Sequence, residues 1–466
     1  MLNYFPKYFT NKAIVLYIIA LLAVAVVFSR YVMYWYVYLF GLIEVFGFFY
    51  FSNVLSKKWA LILSKNFEKK IFIIALVIRV IWVIFSYFFY ISQTGIPFEY
   101  GAADSISYDN TAMPIAKYGL SVISQIYSET DIADTGYPTY LGTIYLIFGH
   151  VIIIPRLLKA VLGAWSALLI YRVASRNFGE SAGRMAAIFF MLMPNLIYYC
   201  GLHLKEVEMV FLTVAFIERA DFLLRSRNFN FINTVVPIAI VSIMFTFRTV
   251  LGITALFALV TSLLFSTKKI LGFGQRFIIG LWVVVAIGFF IGGKISTEVE
   301  QLWQNRTDNQ ELSMNWRAKR VGGNKFADKA SSAIFAPSIF IIPVPTMVNI
   351  ETQLNQQLIN GGNFDKDIMA FFILIAFIWI IKYKKWRDFT LLGAFMIGYL
   401  GVIALSSFAQ SERFHQPALP FILMFATFGI SKVTNKTKTY FMGYLVLMFF
   451  IILVWNWFKL SGRGLV

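Results

Sequence analysis

Long apolar runs broken by short clusters of charge dominate the chain. A helix that crosses a bilayer needs about 20 mainly apolar residues. On that rule the pattern predicts spans at 13–29, 31–51, 71–92, 153–172, 184–200, 204–223, 232–247 and 249–266. Further spans are expected at 276–293, 367–382, 388–406, 416–431 and 438–458. The expected fold class is therefore an all-α polytopic membrane protein with about thirteen transmembrane helices. One apolar run differs. Residues 137–149 are too few to cross, and they predict an interfacial or re-entrant helix.

The loops between the runs assign sides. Lys57, Lys58, Lys65, Lys69 and Lys70 crowd the second loop, and basic loops stay cytoplasmic. Arg172, Arg176 and Arg184 mark a later cytoplasmic loop, as do Arg225 with Arg227, and Lys268 and Lys269 with Arg276. This alternation holds only if 137–149 does not cross. Residues 93–136 then lie outside, with Glu99, Asp104, Asp109, Glu129, Asp131 and Asp134 against Lys117. A second outer segment, 294–366, is polar and mixed in charge. Within it Pro337, Pro343 and Pro345 argue against a straight spanning helix at 334–348, which is expected to lie on the membrane or over a cavity.

The chain thus divides into 1–70 (two helices and a basic loop) and 71–293 (a core with its acidic outer loop). An outer cover, 294–366, and the C-terminal helices, 367–466, complete it.

Composition agrees with lipid as the solvent. Of 466 residues, 59% are hydrophobic and 14% charged, where soluble domains carry about 25% charge. The net charge of +18 is explained by the basic cytoplasmic loops, so no nucleic-acid partner is expected. The single cysteine, Cys200, excludes an intrachain disulfide and a Cys-rich metal site. Three histidines, His150, His203 and His415, are expected as polar residues of the outer interface.

Once sides are assigned, the unusual charges gather at the outer face. They are Asp104 and Asp109, Arg156 and Lys159, Lys205 with Glu206 and Glu208, Arg248, and Glu412 with Arg413. Charges close to hydrocarbon are costly and are commonly paired or functional. Asp104 admits two readings, a base for a hydroxyl proton or a helix cap. Asp109, five residues on, would face about 140° away on one helix. Lys205, Arg248 and Arg413 fit a lipid-borne phosphate, or else only lift their charge to water.

Four local patterns then carry a resemblance. They are DSISYDNTA from Asp104; GYPTYLGTIYLIFG from Gly136 with PRLLKAVLG from Pro155; MPNLIYYCG followed by LHLKE from Leu202; and SERFHQPALPF from Ser411. In order and side they resemble the GT-C superfamily of integral membrane glycosyltransferases. The likeness is to the family of protein O-mannosyltransferases and the lipid A aminoarabinose transferase. It covers most of 79–431, with the first two helices as an addition. The His-Pro-Pro motif of the O-mannosyltransferases is absent, Gly136–Pro138 standing in its place, so the acceptor is not implied.

The resemblance implies outer-face juxtamembrane helices, with 137–149 among them, and an outward-opening cavity. It also implies transfer of a sugar from a polyprenyl-phosphate donor, with inversion, to a glycan, lipid or protein acceptor. Asp104 takes the catalytic position. Tyr108, Asp109, Tyr137, Arg156, Lys205, Glu206, Arg248, Glu412 and Arg413 are the expected substrate-binding residues. No cofactor is implied, although some relatives use a divalent cation. The expected place is a bacterial inner membrane, with the site facing the periplasm. Two alternatives remain open: a surface-polysaccharide ligase or polymerase, and a flippase or transporter of lipid-linked glycans. The latter predicts charges near the bilayer midplane and broken helices.

Overall fold

The computed structural model describes residues 3–129, 131–226, 231–266, 280–281, 338–406 and 409–466. Outside these lie the expected span 276–293 apart from 280–281, the loop residues Arg227, Lys268, Lys269 and Arg276, and most of the cover 294–366, Pro337 included.

Every regular element among the described residues is helical. The chain begins with α1 (Lys7–Val27), α2 (Trp35–Lys58) and α3 (Ser64–Thr94). Lys57 and Lys58 sit in the last turn of α2, where a helix favours cations. At its far end α3 stops on Gly95, whose φ of 78° suits glycine, with its N–H bonded back to the Ile91 carbonyl. Next come α4 (Ala103–Tyr118), α5 (Ile123–Glu129) and α6 (Gly136–Phe148). Helix α6 has 13 residues and packs on α4.

Then follow α7 (Ile153–Phe178), α8 (Glu180–Leu192), α9 (Pro194–Tyr198), α10 (Glu206–Arg225), α11 (Phe231–Phe247) and α12 (Thr249–Phe265). Apart from the short turns of helix at Leu354–Leu358 and Glu412–His415, the later described helices are α13 (Asn360–Lys382), α14 (Thr390–Ala404), α15 (Leu419–Ser431) and α16 (Asn435–Ser461). Among the described residues, six helices are long and apolar enough to cross a membrane: α1, α2, α3, α7, α16, and α14 taken with the turn before it. Two shorter apolar stretches, Val235–Phe247 and Thr249–Phe265, accompany them.

The expected span at 184–200 is broken. Pro194 has no N–H to give the Phe190 carbonyl, and α8 ends two residues before it. The freed carbonyls are taken by Arg79 from the middle of α3. Its guanidinium donates to Phe190 O at 3.2 Å and Met191 O at 3.3 Å. Gly163 on α7 makes room, since a Cβ there would stand 2.6 Å from Arg79 Nε. A broken helix at membrane depth survives when neighbours satisfy its backbone in this way.

The described part of the proline-rich segment, 338–348, is largely buried within the protein rather than spread over its surface. It is mostly irregular, so its polar groups need side-chain partners. Asn456 of α16 accepts from Met347 N–H at 2.7 Å and donates to Pro345 O at 3.2 Å. Lys366 of α13 donates to Ile342 O at 2.7 Å. Asn349 N–H bonds the carbonyl of Tyr31 in the α1–α2 turn.

Candidate functional site

The site is assembled where α3 ends, at the opposite end of the bundle from the Lys57–Lys58 loop. Helix α4 opens with Ala102 at its cap position, and no side chain caps it. Asp104 stands in the first turn instead, so the cap alternative does not describe its bond. Its carboxylate accepts from Arg413. The same guanidinium donates through Nε to Glu206, in the first turn of α10. One planar fork thereby joins α4, α10 and the turn at Glu412–His415.

The two carboxylates differ in setting. The Asp104 side chain is 57% exposed, whereas that of Glu206 is fully buried. Asp104 can therefore leave the fork at little cost, and Glu206 cannot. Burial opposes the Arg413 charge, but Glu206 and Asp104 outweigh it and hold the guanidinium above its ordinary value. Arg248, between α11 and α12, stands 3.8 Å from the same Glu206 oxygen and lies over the Phe414 ring at 4.3 Å. Its other arm reaches the Tyr399 hydroxyl at 3.3 Å.

Lys205 completes this group. Its ammonium donates to Asp134 at 2.6 Å and to Ala133 O at 2.9 Å, with the Tyr108 ring 5.4 Å away. Three cations (Lys205, Arg248, Arg413) thus face three anions (Asp104, Asp134, Glu206). Tyr108 adds a hydroxyl 3.5 Å from Asp134.

A deeper layer lies beneath. Lys159 on α7 is fully buried, donates to the Leu202 carbonyl at 2.8 Å, and sits 3.8 Å from Glu208. Tyr137 is buried with its ring 5.0 Å from that ammonium. Arg156 donates to the Pro97 carbonyl and lies over Phe98. Glu412 accepts from Tyr199 at 2.8 Å. These residues hold the loop before α4 and the turn before α10 in place. Arg156 and Glu412 are thereby engaged in supporting the site's frame.

Asp109 is turned away from Asp104, as five helical positions require. It is buried and gathers a second cluster. Tyr145 donates to it at 2.6 Å, His150 Nε2 lies at 3.0 Å, and His203 Nε2 at 3.6 Å. Burial pushes the His203 imidazole below its ordinary value. Sequence reading placed Asp109 but not its partners. Tyr145, on the α6 face toward α4, was findable only from that packing.

Among the described residues, no group of three or more His, Cys, Asp or Glu is placed to hold a metal ion. No protein-family model matches the chain, and no curated protein matches it in sequence.

Proposed function

We propose that this protein is an integral membrane glycosyltransferase of the GT-C kind, with about thirteen spans and its site on the outer face of a bacterial inner membrane. It moves a sugar from a polyprenyl-phosphate donor to a glycan, lipid or protein acceptor. The observation that carries this reading is the Arg413 fork, shared between an exposed carboxylate and a buried one.

The chemistry follows from that exchange. Donor phosphate brings negative charge to the three cations Lys205, Arg248 and Arg413. It competes for Arg413 with Asp104, the more exposed of its two partners. Glu206 stays and keeps the fork oriented. Asp104 is then free to accept the proton of an acceptor hydroxyl. The hydroxyl oxygen bonds to the anomeric carbon as the bond from that carbon to the phosphate oxygen breaks. Charge growing on the leaving phosphate is met by Arg413 and Arg248. The proton ends on Asp104, and the polyprenyl phosphate departs.

The test is mass spectrometry of membrane lipids from cells whose sole copy is wild type or Asp104→Asn, at equal protein level. Accumulation of a polyprenyl-phosphate sugar in the variant supports the reading. Unchanged lipids and surface glycans would overturn it. A second reading, transport of lipid-linked glycans, is favoured by one observation: half-buried Glu44 within α2 and buried Asp365 on α13 place carboxylates away from the Arg413 fork.

A further inference from the structure

Two carboxylates lie away from the Arg413 fork and have no part in glycosyl transfer. Glu44 is the tenth residue of α2, roughly 14 Å along the helix from its start. Asp365 is on α13, which packs against α2. Asp365 is fully buried, and neither of its oxygens has a hydrogen-bond partner. Glu44 accepts from the Gly362 N–H of the first α13 turn at 3.1 Å. It is half-buried, so one edge faces outward from the middle of a spanning helix, where a membrane places hydrocarbon.

The charged groups facing this pair offer no cation. Asp365 feels the charges of Glu44 and Asp367, both negative. Lys366, next on α13, is turned to the Ile342 carbonyl and lies 3.8 Å from Asp367. From α1, Tyr17 faces both carboxylates as well as Tyr38, and its hydroxyl donates to Asn360. From α9, Asn195 bonds Asn363 at 3.0 Å. Two facing anions without a counter-charge do not both persist in a low dielectric.

The ligand that resolves this has to be very small. A Cβ on Gly361 would stand 2.7 Å from Glu44 Oε2 and 2.7 Å from the Gly41 carbonyl. A Cβ on Gly362 would collide with Asn195. The helices are closely packed here, and among the described residues no group of three or more His, Cys, Asp or Glu is placed to hold a metal ion. We propose that Glu44 and Asp365 form a proton-binding site inside the bundle, holding at least one proton between them. Tyr17, which faces both carboxylates, also lines a cavity of about 290 Å³ between α1 and α2 with Ile14, Ile18, Leu42 and Phe46.

The purified full chain is treated with dicyclohexylcarbodiimide, an apolar reagent that attacks protonated carboxyls, and its peptides are mapped by mass spectrometry. At about pH 6 an ordinary exposed carboxyl is protonated in only about one molecule in a hundred. Labelling at Glu44 or Asp365 is therefore expected to exceed that at ordinary exposed carboxyls by about tenfold or more. As the pair ionises, labelling falls about tenfold per pH unit, and excess sodium leaves it unchanged. Labelling that sodium suppresses assigns the pair to a metal cation and overturns the proposal. Infrared difference spectra of wild type against Glu44→Gln/Asp365→Asn read protonation without a reagent. A lost carboxylic C=O band supports the site, and lost carboxylate bands alone overturn it. Neither result depends on the fate of Asp104.

Discussion

At the scale of single residues, the fork at Arg413 separates stability from activity. Removing the guanidinium takes the hydrogen-bonded partner from buried Glu206 and leaves Arg248, 3.8 Å away, as its remaining cation, so Arg413→Ala is expected to cost about 2–3 kcal/mol. Asp104→Asn removes an exposed partner and is expected to cost about 1 kcal/mol or less, while abolishing transfer. Thermal unfolding in detergent, beside the lipid profile, checks the ordering; equal losses of stability would contradict it. His415 gives a pH signature. Its Nε2–H donates to the Ala409 carbonyl at 2.9 Å, and burial pushes its imidazole down to about 3. Below an ordinary histidine value near 6.5 the unfolded chain binds this proton and the folded chain does not. Stability present above that value therefore falls as pH drops toward 3, by about 1.4 kcal/mol per pH unit. A His415→Gln variant should show a shallower dependence of Tm on pH over that window. The pairings themselves were not legible in sequence. Arg413 and Glu206 lie 207 positions apart, and only the folded bundle makes them neighbours. Asp104 was legible as an acid at a helix start, though not as a group without a capping role.

At the scale of elements, Arg79 repairs the break between α8 and α9. Its loss leaves the Phe190 and Met191 carbonyls without that donor in the bundle interior. Arg79→Met is expected to destabilise by about 1–3 kcal/mol for each orphaned group. Restoring the missing donor with Pro194→Ala in the same chain is expected to recover part of that loss. A double-mutant cycle of unfolding midpoints measures it, and strict additivity would count against the coupling. The short helix α6 was readable because its apolar run ends at Gly149. The break at Pro194 carried its own signal, a proline inside an apolar run, yet hydropathy alone passed over it. The burial of 338–348 left no such trace. Its prolines excluded a straight helix, but the partners that let irregular backbone sit inside the protein come from α1–α2, α13 and α16.

For the whole molecule, the basic loops predict which end faces the cytoplasm, and the native chain suits a direct measurement. Cys200 is buried, so it is a quiet background for labelling. Leu61, in the basic loop after α2, is 98% exposed, and Leu120, after α4, is 54% exposed. An impermeant maleimide applied to intact cells is expected to label Leu120→Cys and to spare Leu61→Cys; the reverse pattern inverts the orientation. Apolar periodicity made the helical class legible because lipid imposes it on each segment separately. The grouping of charges at one end followed from loop parity, while their contacts depend on packing that no local pattern records. One arrangement also bears on how the chain is made. The backbone of 345–347 is completed by Asn456, 109 positions downstream of Met347. A ribosome therefore delivers this stretch long before its partner exists. It has to wait, unsatisfied, until α16 has been threaded into the bilayer. The last helix is thus the latch of assembly, and a nascent chain cut before it would present that stretch to quality-control proteases.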